Sequence, residues 1–322
     1  MNIYIKQDEG QTGPFSAEEL RLRIYSGELS RTVSACAEGS ADWVPLESLL
    51  NPPTLGQVRP ATPEVQLTQL FDPKEKTALL WLWIFAVPVW LVVLFFVVAG
   101  KGTPLIFIGM FWLVGAMGQL WFAAYLKTNA VRVSAAQLPE LNAAVESCCQ
   151  RLGLERPDVY VLQHNVWNAF ATKIFGRRMV VLFSGAVDSI LLKGDMKQLT
   201  WLVGHELGHH WAGHLNFSQK LAKAGGWVFW LGLWHSRRAE LTCDRVGLFC
   251  AGDAQACQLA LMNATVGAQL ANRVNLDEAV KQWQGHRGEF FVKYRTMYST
   301  HPHLLARLEH LNQAATEFGL AR

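Results

Sequence analysis

The residues of this chain best suited to chemistry are the five from His205 to His209, which read His-Glu-Leu-Gly-His. Residues four apart lie on one face of an α-helix, so His205 and His209 can offer their imidazoles to one metal ion. Glu206 follows the first histidine, where its carboxylate can reach a metal-bound water and act as a general base. The spacing therefore predicts a zinc hydrolase site on one helical turn.

A second segment carries the acidic residues from which a third ligand could come. Catalytic zinc is held by three protein ligands and keeps one open position. Glu240 and Asp244 are four residues apart on a predicted helix that begins at Ser236 and ends near Gly252. Glu240 as third ligand gives a His2Glu set, with Asp244 supporting it from behind. The alternative is a solvated helix face on which both carboxylates pair with neighbouring arginines.

The helix that must position the first motif is predicted by its own pattern. Asp195 is a plausible N-cap, and residues 196–203 supply an apolar stripe just before the motif. His210 and His214 repeat the four-residue spacing, but Trp211 stands where a general base would be. We therefore expect His210 on a neighbouring face and His214 near the helix end, where a cation is welcome.

Four blocks between about Leu138 and Leu311 follow one order. They are Asn168–Ala171 after the strand-like 159–162, the strand and turn at 179–188, the metal motif with Glu240-x-x-x-Asp244, and Thr300-His301-Pro302 with Arg307. In order and spacing these blocks resemble the zinc metallopeptidase family that includes HtpX and the CAAX prenyl endopeptidases.

The resemblance implies an α+β, mainly helical zincin-type domain with a small β-sheet and one zinc ion per chain. It implies that Glu240 is the third zinc ligand and that Asp244 forms a salt bridge with Arg307. His301 would stand near the metal, donating a hydrogen bond to the oxyanion or occupying the open position in a resting state. From the residues alone, His301 before a proline is equally compatible with a surface turn.

The resemblance also implies a substrate and a reaction. Asn168 and Phe170 would lie by a strand edge that receives an extended peptide, although an asparagine there also suits a turn. The reaction would be hydrolysis of peptide bonds in membrane or misfolded proteins, a role in protein quality control, with Glu206 as general base. The alternative is a peptide-binding membrane adaptor whose zinc site is structural or inactive.

Two long uncharged stretches place this chemistry at a membrane. Residues 78–100 and 102–126 are each long enough to cross a hydrocarbon core of ~30 Å, and the short connection predicts a transmembrane helical hairpin over residues 77–126. A third apolar run, Gly226 to Trp234, is too short to span and is expected on the membrane surface or packed under the active site.

Basic residues flank the hairpin on its outer sides: Lys74, Lys76, Lys127 and Arg132. By the positive-inside rule, both the N-terminal and the catalytic regions face the cytoplasm. Together with the resemblance to the HtpX family, this implies an integral protein of the bacterial inner membrane. The net charge of +3 is too small to imply a nucleic acid partner. The six cysteines do not suggest a disulfide framework.

The first fifty residues are predicted to form a separate small α+β domain, with strands at 1–5 and 43–46, a turn at Gly13-Pro14 and a helix at 17–25. The order of Tyr4, Gly13-Pro14-Phe15, Ser26–Leu29 and Ala41–Pro45 resembles GYF-like domains of bacterial membrane proteins. The resemblance implies a proline-rich peptide partner on an aromatic surface. Alternatively, Tyr4, Tyr25 and Trp43 form the core of a tiny domain.

The sequence therefore predicts four regions along the chain. They are a GYF-like accessory domain at residues 1–50, a proline-containing linker at 51–76, the hairpin at 77–126 and a metallopeptidase domain at 127–322.

Overall fold

The computed structural model describes residues 2–7, 10–25, 28–30, 32–40, 42–50 and 65–320. Its strands are β1 Asn2–Gln7, β2 Gly10–Ser16, β3 Ser34–Ala37, β4 Val44–Pro45, β5 Ala130–Arg132, β6 Asp158–Leu162, β7 Ala169–Ile174 and β8 Arg177–Phe183. Its helices are α1 Ala17–Tyr25, α2 Leu46–Leu50, α3 Glu75–Ala99, α4 Thr103–Asn129, α5 Pro139–Leu152, α6 Ser184–Leu191, α7 Met196–Trp211, α8 Phe217–Ala222, α9 Phe229–Ala251, α10 Ala254–Val266, α11 Ala268–Ala271, α12 Leu276–His286, α13 Phe290–Met297 and α14 Leu304–Glu317, with 3-10 turns at Leu67–Leu70 and Lys223–Trp227.

The N-terminal elements form a small antiparallel sheet in the order β2-β1-β3-β4, beside α1 and α2. Its core is aliphatic and includes Ile3, Ile5, Leu20 and Leu46. Trp43 is 41% exposed, so this tryptophan does not serve as a core residue. The prediction of an aromatic core is wrong at that position, because aliphatic side chains from the sheet and both helices fill the interior.

The predicted turn at Gly13-Pro14 is also wrong. Both residues lie inside β2, where the paired strand β1 carries an irregularity in register between Ile3 and Ile5. Some residues of these predictions lie outside the described part of the chain. They are Ser26, Gly27 and Ala41 of the expected domain and residues 51–64, which make up most of the predicted linker. The side chain of Tyr25 also lies outside the described part of the chain.

A second sheet has the order β5-β6-β8-β7. Strands β6 and β8 are parallel, whereas β5 and β7 pair antiparallel with their neighbours. Within the described chain β7 pairs only with β8, so β7 is an edge strand. The mainly helical α+β fold with a small sheet is confirmed.

Helices α7 and α9 cross in direct contact because glycines stand where they meet. A Cβ at Gly204 would lie 2.9 Å from the Cβ of Cys250, and a Cβ at Gly208 would lie 3.1 Å from the Cα of Cys243. On the other helix, Gly247 sits against Trp201. Missing side chains at helix crossings let the two backbones approach closely. This approach brings the histidine pair of α7 opposite the acidic residues of α9.

The expected start of the second ligand helix at Ser236 is wrong. Helix α9 begins at Phe229 and runs without interruption to Ala251, so most of the apolar run 226–234 belongs to the ligand helix itself. The apolar residues before Ser236 are good helix formers, and a serine costs little inside a helix that is already formed. The expected end is confirmed, since Gly252 caps the helix with φ 64°.

Two helices are long and apolar enough to cross a membrane by length and composition. Helices α3 and α4 have mean hydropathies of 2.8 and 1.8 in their most apolar windows, of which only 11% and 6% of the residues are buried. The connection between them is tight, with positive φ angles at Lys101 and Gly102. Both helices thus present apolar side chains outward rather than into a core.

The first half of α3 packs against the segment that connects α7 to α9. The indole Nε1 of Trp90 donates to the Leu221 carbonyl at 3.1 Å, and that of Trp227 donates to the Phe85 carbonyl at 3.1 Å. Between these contacts Gly225 lies directly on the α3 backbone, where any Cβ would overlap the carbonyl oxygen of Leu82. Helix α3 and the segment between α7 and α9 are therefore joined along a backbone-to-backbone contact.

Replacing Gly225 with alanine is expected to destabilise this junction by about 1–3 kcal/mol, the usual cost of overpacking. The clash is with backbone atoms, which cannot rotate away as a side chain can. Gly226→Ala is the matched control, because nothing lies within 4 Å of a Cβ there. Thermal unfolding in detergent should separate the two variants, and equal melting temperatures would contradict the packing.

Candidate metal centre

Three donor groups converge where α7 crosses α9. Asp195 caps α7 by accepting from the amides of Lys197 and Gln198, as predicted, and the helix carries His205 and His209 toward α9. From α9, Glu240 projects between them: its Oε2 lies 3.5 Å from His205 Nε2, and its Oε1 lies 3.6 Å from His209 Nε2. The three ligand atoms lie within 4.8 Å of one another.

These distances fit a shared cation better than direct hydrogen bonds. N–H···O hydrogen bonds are normally 2.7–3.2 Å long, so 3.5 and 3.6 Å are too long. Two ligands held about 2.0–2.1 Å from a tetrahedral zinc are roughly 3.3 Å apart, close to the observed values. The donor set of His205, His209 and Glu240 therefore fits zinc by chemistry and by spacing.

Asp244 fixes the first of these histidines from behind. Its Oδ1 lies 3.0 Å from His205 Nδ1. Arg307 of α14 donates to both Asp244 oxygens, from Nε at 2.8 Å and from a terminal nitrogen at 2.6 Å. Asp244 is 1% exposed, so water does not screen this ion pair. A histidine whose Nδ1 is bonded to a carboxylate keeps the proton there and presents Nε2 to a metal.

The titration behaviour of the donors follows from their burial and their neighbours. Burial alone would lower the pKa of His205, but the carboxylates of Asp244 and Glu240 raise it to about 10. Burial lowers the pKa of His209 to about 3, although Glu240 acts in the opposite direction. Burial opposes ionisation of Glu240, yet His205 and His209 hold the pKa of that carboxyl below its usual range. An ionised carboxylate and a neutral imidazole are ready to bind a cation.

Glu206 lies beside this donor set without belonging to it. Its side chain is buried, and burial together with the charge of Glu240 raises its pKa to about 7, whereas His205 and Arg307 act to lower it. The backbone of Ala171 in β7 faces this carboxylate and acts to lower its pKa. A carboxylate with a pKa near neutrality, placed beside a cation site, is suited to general-base work.

The donors open into a cleft with a volume of ≈ 550 Å³. One wall is the edge strand β7, with Asn168 just before it and Phe170 within it. The Asn168 side chain accepts from the Ala169 amide at 2.9 Å, and the Phe170 ring packs near Phe122 of α4 and Phe183 of β8. Leu82 of α3 also lines the cleft, so the apolar helix forms part of its wall.

His301 stands at the rim of the same cleft. Its Nε2 lies 3.7 Å from Glu240 Oε1, although 65% of its side chain is exposed. The ring is held by Thr300, whose hydroxyl lies 2.9 Å from His301 Nδ1. The structure thus brings a solvent-accessible imidazole from the C-terminal region to the donor set.

Two buried residues near the donors were not assigned to the site from the sequence. His214 Nδ1 lies 3.1 Å from Nδ1 of His209, and His214 Nε2 lies 2.9 Å from Oε1 of Glu75. The signal available in the sequence was a fourth histidine, five residues after His209. Nothing in the sequence indicates the partnership with Glu75, which is 139 residues away.

Comparison with known proteins agrees with this geometry. Residues 4–49 match GYF domain 2, and residues 135–228 and 216–315 match Peptidase family M48. The chain is 29% identical over 169 residues to the plastoglobule-localized metallopeptidase 48, chloroplastic, of Arabidopsis thaliana, a match that covers 48% of each chain. It is 32% identical over 106 residues to a protease HtpX homolog of Thermodesulfovibrio yellowstonii, covering 31% of this chain and 36% of that protein.

The chain thus spans about half or less of the length of the curated relatives it matches. The two matched ranges of Peptidase family M48 nevertheless run together over residues 135–315, more than half of this chain, and include every donor described above. With a GYF domain 2 region at its N-terminus, the chain belongs to Peptidase family M48.

Proposed function

We propose that this protein is a membrane-anchored zinc endopeptidase that hydrolyses peptide bonds of membrane or misfolded proteins. The observation that carries the proposal is the donor set of His205, His209 and Glu240, with Glu206 beside it, at the base of a cleft bounded by an edge strand. Family membership supports a metallopeptidase, and two imidazoles with one carboxylate are the donors of a catalytic zinc site with an open position.

His205, His209 and Glu240 would hold the metal. When bound, zinc supplies a Lewis acid that lowers the pKa of a coordinated water towards ~7. Glu206 accepts the proton of the attacking water and passes it to the leaving amine. His301 donates a hydrogen bond to the carbonyl oxygen as that oxygen gains charge. Asp244 and Arg307 hold His205 in the required orientation.

The substrate peptide would add as a strand to the free edge of β7. Pairing with β8 occupies one side of β7, while the backbone of Ala171 is directed to Glu206 on the other. A peptide bound to this free edge passes the general base, with Asn168 at the entrance to the strand and Phe170 within it. Strand addition binds a substrate through its backbone and accepts many sequences.

A membrane location is supported by the outward apolar surfaces of α3 and α4. The contacts from Trp227 to Phe85 and from Trp90 to Leu221 place the start of the 226–234 run against α3, which supports contact between this run and the bilayer. The flanking basic residues support a cytoplasmic catalytic region. One relative is named for a chloroplast plastoglobule, so relatives of this chain are not confined to bacteria. For this chain we propose the bacterial inner membrane.

The N-terminal region supports an accessory role in binding a partner. Trp43 is exposed, and an exposed aromatic residue is what a proline-rich peptide requires. We propose that this region recruits such peptides. The competing possibility, an adaptor with an inactive metal site, differs in one respect: it binds zinc without hydrolysing peptides.

The deciding experiment is cleavage of a denatured model protein by the full chain in detergent, with zinc and after chelation. We expect cleavage that disappears on chelation and returns with zinc. One tightly held zinc per chain without cleavage of any denatured or membrane substrate would favour the adaptor.

Zinc binding is expected to release about two protons per ion at pH 8.5, one from His205 and one from the coordinated water, whose pKa falls towards ~7. Before zinc binds, His205 carries a proton at this pH because its pKa is about 10, and a ligand imidazole must give up that proton. His209, with a pKa of about 3, is already neutral and releases none. Because Glu206 has a pKa of about 7, it is already ionised at pH 8.5 and does not obscure the count.

The proton count is measured by titration calorimetry in buffers of different ionisation enthalpy. As pH falls from 9 to 8, protons compete more strongly for His205 and for the coordinated hydroxide, and zinc affinity should drop about 100-fold. A release of one proton or none at pH 8.5 would contradict the ligand assignment.

A further inference from the structure

A chain of buried hydrogen bonds leads away from the donor set toward the start of α3. From His209 it passes to His214, and from His214 to Glu75 at the first position of α3. The other Glu75 oxygen accepts from the Thr242 hydroxyl, which itself accepts from the Asp72 amide at 2.9 Å. The chain therefore connects a candidate metal ligand with the beginning of an apolar helix.

The direction of each hydrogen bond in this chain is determined by the groups at its ends. We take Glu75 as the ionised acceptor, so His214 Nε2 must donate to it. His214 Nδ1 then has only a lone pair and must accept the proton of His209 Nδ1. His209 Nε2 is left with a free lone pair on the side that faces Glu240. The chain thus specifies the tautomer that a metal ligand at Nε2 requires.

The members of this chain are shielded from solvent. His214, Glu75 and Thr242 are 7%, 3% and 0% exposed. A buried carboxylate is costly unless charged or polar groups surround it, and each Glu75 oxygen has one such partner. Water therefore does not substitute for a lost partner, and each member depends on the next.

We infer that His214 is a positioning residue for the metal centre, held in place by Glu75 and Thr242, and that it fixes the ring orientation and tautomer of His209. The inference rests on the proposed zinc site. Each of the two histidine ligands would then be oriented by a carboxylate. Asp244 orients His205 directly, whereas Glu75 orients His209 through the imidazole of His214. Zinc affinity would also depend on residues at the start of α3.

The principal competing explanation is a second metal ion. His209, His214 and Cys243 offer atoms within 4.8 Å of one another, and the Cys243 sulfur lies 3.7 Å from His214 Nδ1. This cluster would need His209 to bind one cation through each ring nitrogen, which requires an imidazole stripped of both protons. The continuation from His214 to Glu75 favours the hydrogen-bonded arrangement.

The inference is tested by metal affinity rather than by activity. Zinc affinity of the full chain in detergent is measured by competition with a chromogenic chelator, and the visible spectrum is recorded with Co2+ in place of zinc. His214→Phe should weaken zinc binding by about 10–100-fold, the usual effect of removing a group that orients a ligand, and should change the Co2+ spectrum. His214→Asn keeps an acceptor for the His209 proton and should lose less affinity than the phenylalanine variant.

Two further variants show whether the members act in series. Glu75→Gln should weaken zinc binding less than His214→Phe does. The double variant should bind zinc no more weakly than His214→Phe alone, because the glutamate acts only through the imidazole. Separate, additive losses from the two substitutions would overturn the inference.

His210→Phe is the matched control, since it removes another buried imidazole close to His209. Among the described residues, His210 is hydrogen-bonded only to the Met179 carbonyl, at 3.0 Å, and its substitution should leave zinc affinity within about twofold. Equal zinc affinity in His214→Phe, His214→Asn and the unsubstituted chain would overturn the inference while leaving the zinc site intact. Two zinc ions per chain would also overturn it, in favour of the Cys243 cluster. Failure of the unsubstituted chain to bind zinc would instead overturn the proposed function.

Discussion

Glu206→Gln is expected to lower kcat/KM for peptide cleavage on the order of 10³-fold while one zinc per chain remains bound. Glutamine has the shape of glutamate but cannot accept a proton. Glu206 is not one of the three converging donors, so its replacement leaves the ligand set intact. Burial keeps the pKa of this carboxyl near 7, where it can take a proton from water and return it to a leaving amine.

The measurement compares cleavage rates and zinc content of the two proteins in the same detergent. Glu240→Gln is the informative comparison, because it should lower both activity and zinc content. Full activity in Glu206→Gln with zinc retained would place the general base elsewhere in the cleft. Loss of zinc from Glu206→Gln would show that this carboxylate contributes to metal binding.

Arg307→Met should reduce the free energy of unfolding by about 3–5 kcal/mol. The substitution leaves Asp244 buried without its cation, because the two guanidinium hydrogen bonds to Asp244 are lost. Burial disfavours the ionised form of Asp244, yet Arg307 and His205 hold the pKa of this carboxyl below its usual value. Zinc affinity should fall as well, since Asp244 orients His205.

Denaturant unfolding in detergent, with a chelator present, measures the stability effect apart from zinc. Arg287→Met is the matched control: Arg287 pairs with Glu309 at 3.0 Å, but its side chain is 55% exposed. Exposed pairs contribute about 0–1 kcal/mol, so this control should change little. Adding Asp244→Asn to Arg307→Met should restore part of the lost stability, because no unpaired charge then remains buried. A smaller effect for Arg307 than for Arg287 would contradict the importance of the buried pair.

The sequence alone predicts the parts of the site that depend only on the geometry of one helix. Spacing along one helix predicts that His205 and His209 share a face, and the aspartate at position 195 marks where that helix begins. The same reasoning places Glu240 and Asp244 on one face of α9. Each of these predictions depends on helical geometry over a few residues, and the structure reproduces each one.

Local patterns were insufficient where tertiary packing decides. The start of α9 was misplaced because a serine that suits a helix cap is also accepted inside a helix. Gly13-Pro14 reads as a turn, yet the pairing of Thr12 and Phe15 on either side with β1 keeps it within a strand. The contact of His214 with Glu75 joins residues that only the folded chain brings together. No periodicity or motif reports such a pair.

The contact of Gly225 with the α3 backbone has a consequence for substrate choice. Trp90, whose indole reaches Leu221, is about 22 Å along the helix axis from Glu75 at 1.5 Å per residue, and Leu82 between them lines the cleft. With α3 spanning a bilayer, the catalytic groups are held at one fixed height relative to the lipid. Under the proposed function, the distance of a peptide bond from the membrane surface would then decide whether it reaches the metal centre, and side-chain identity would matter less.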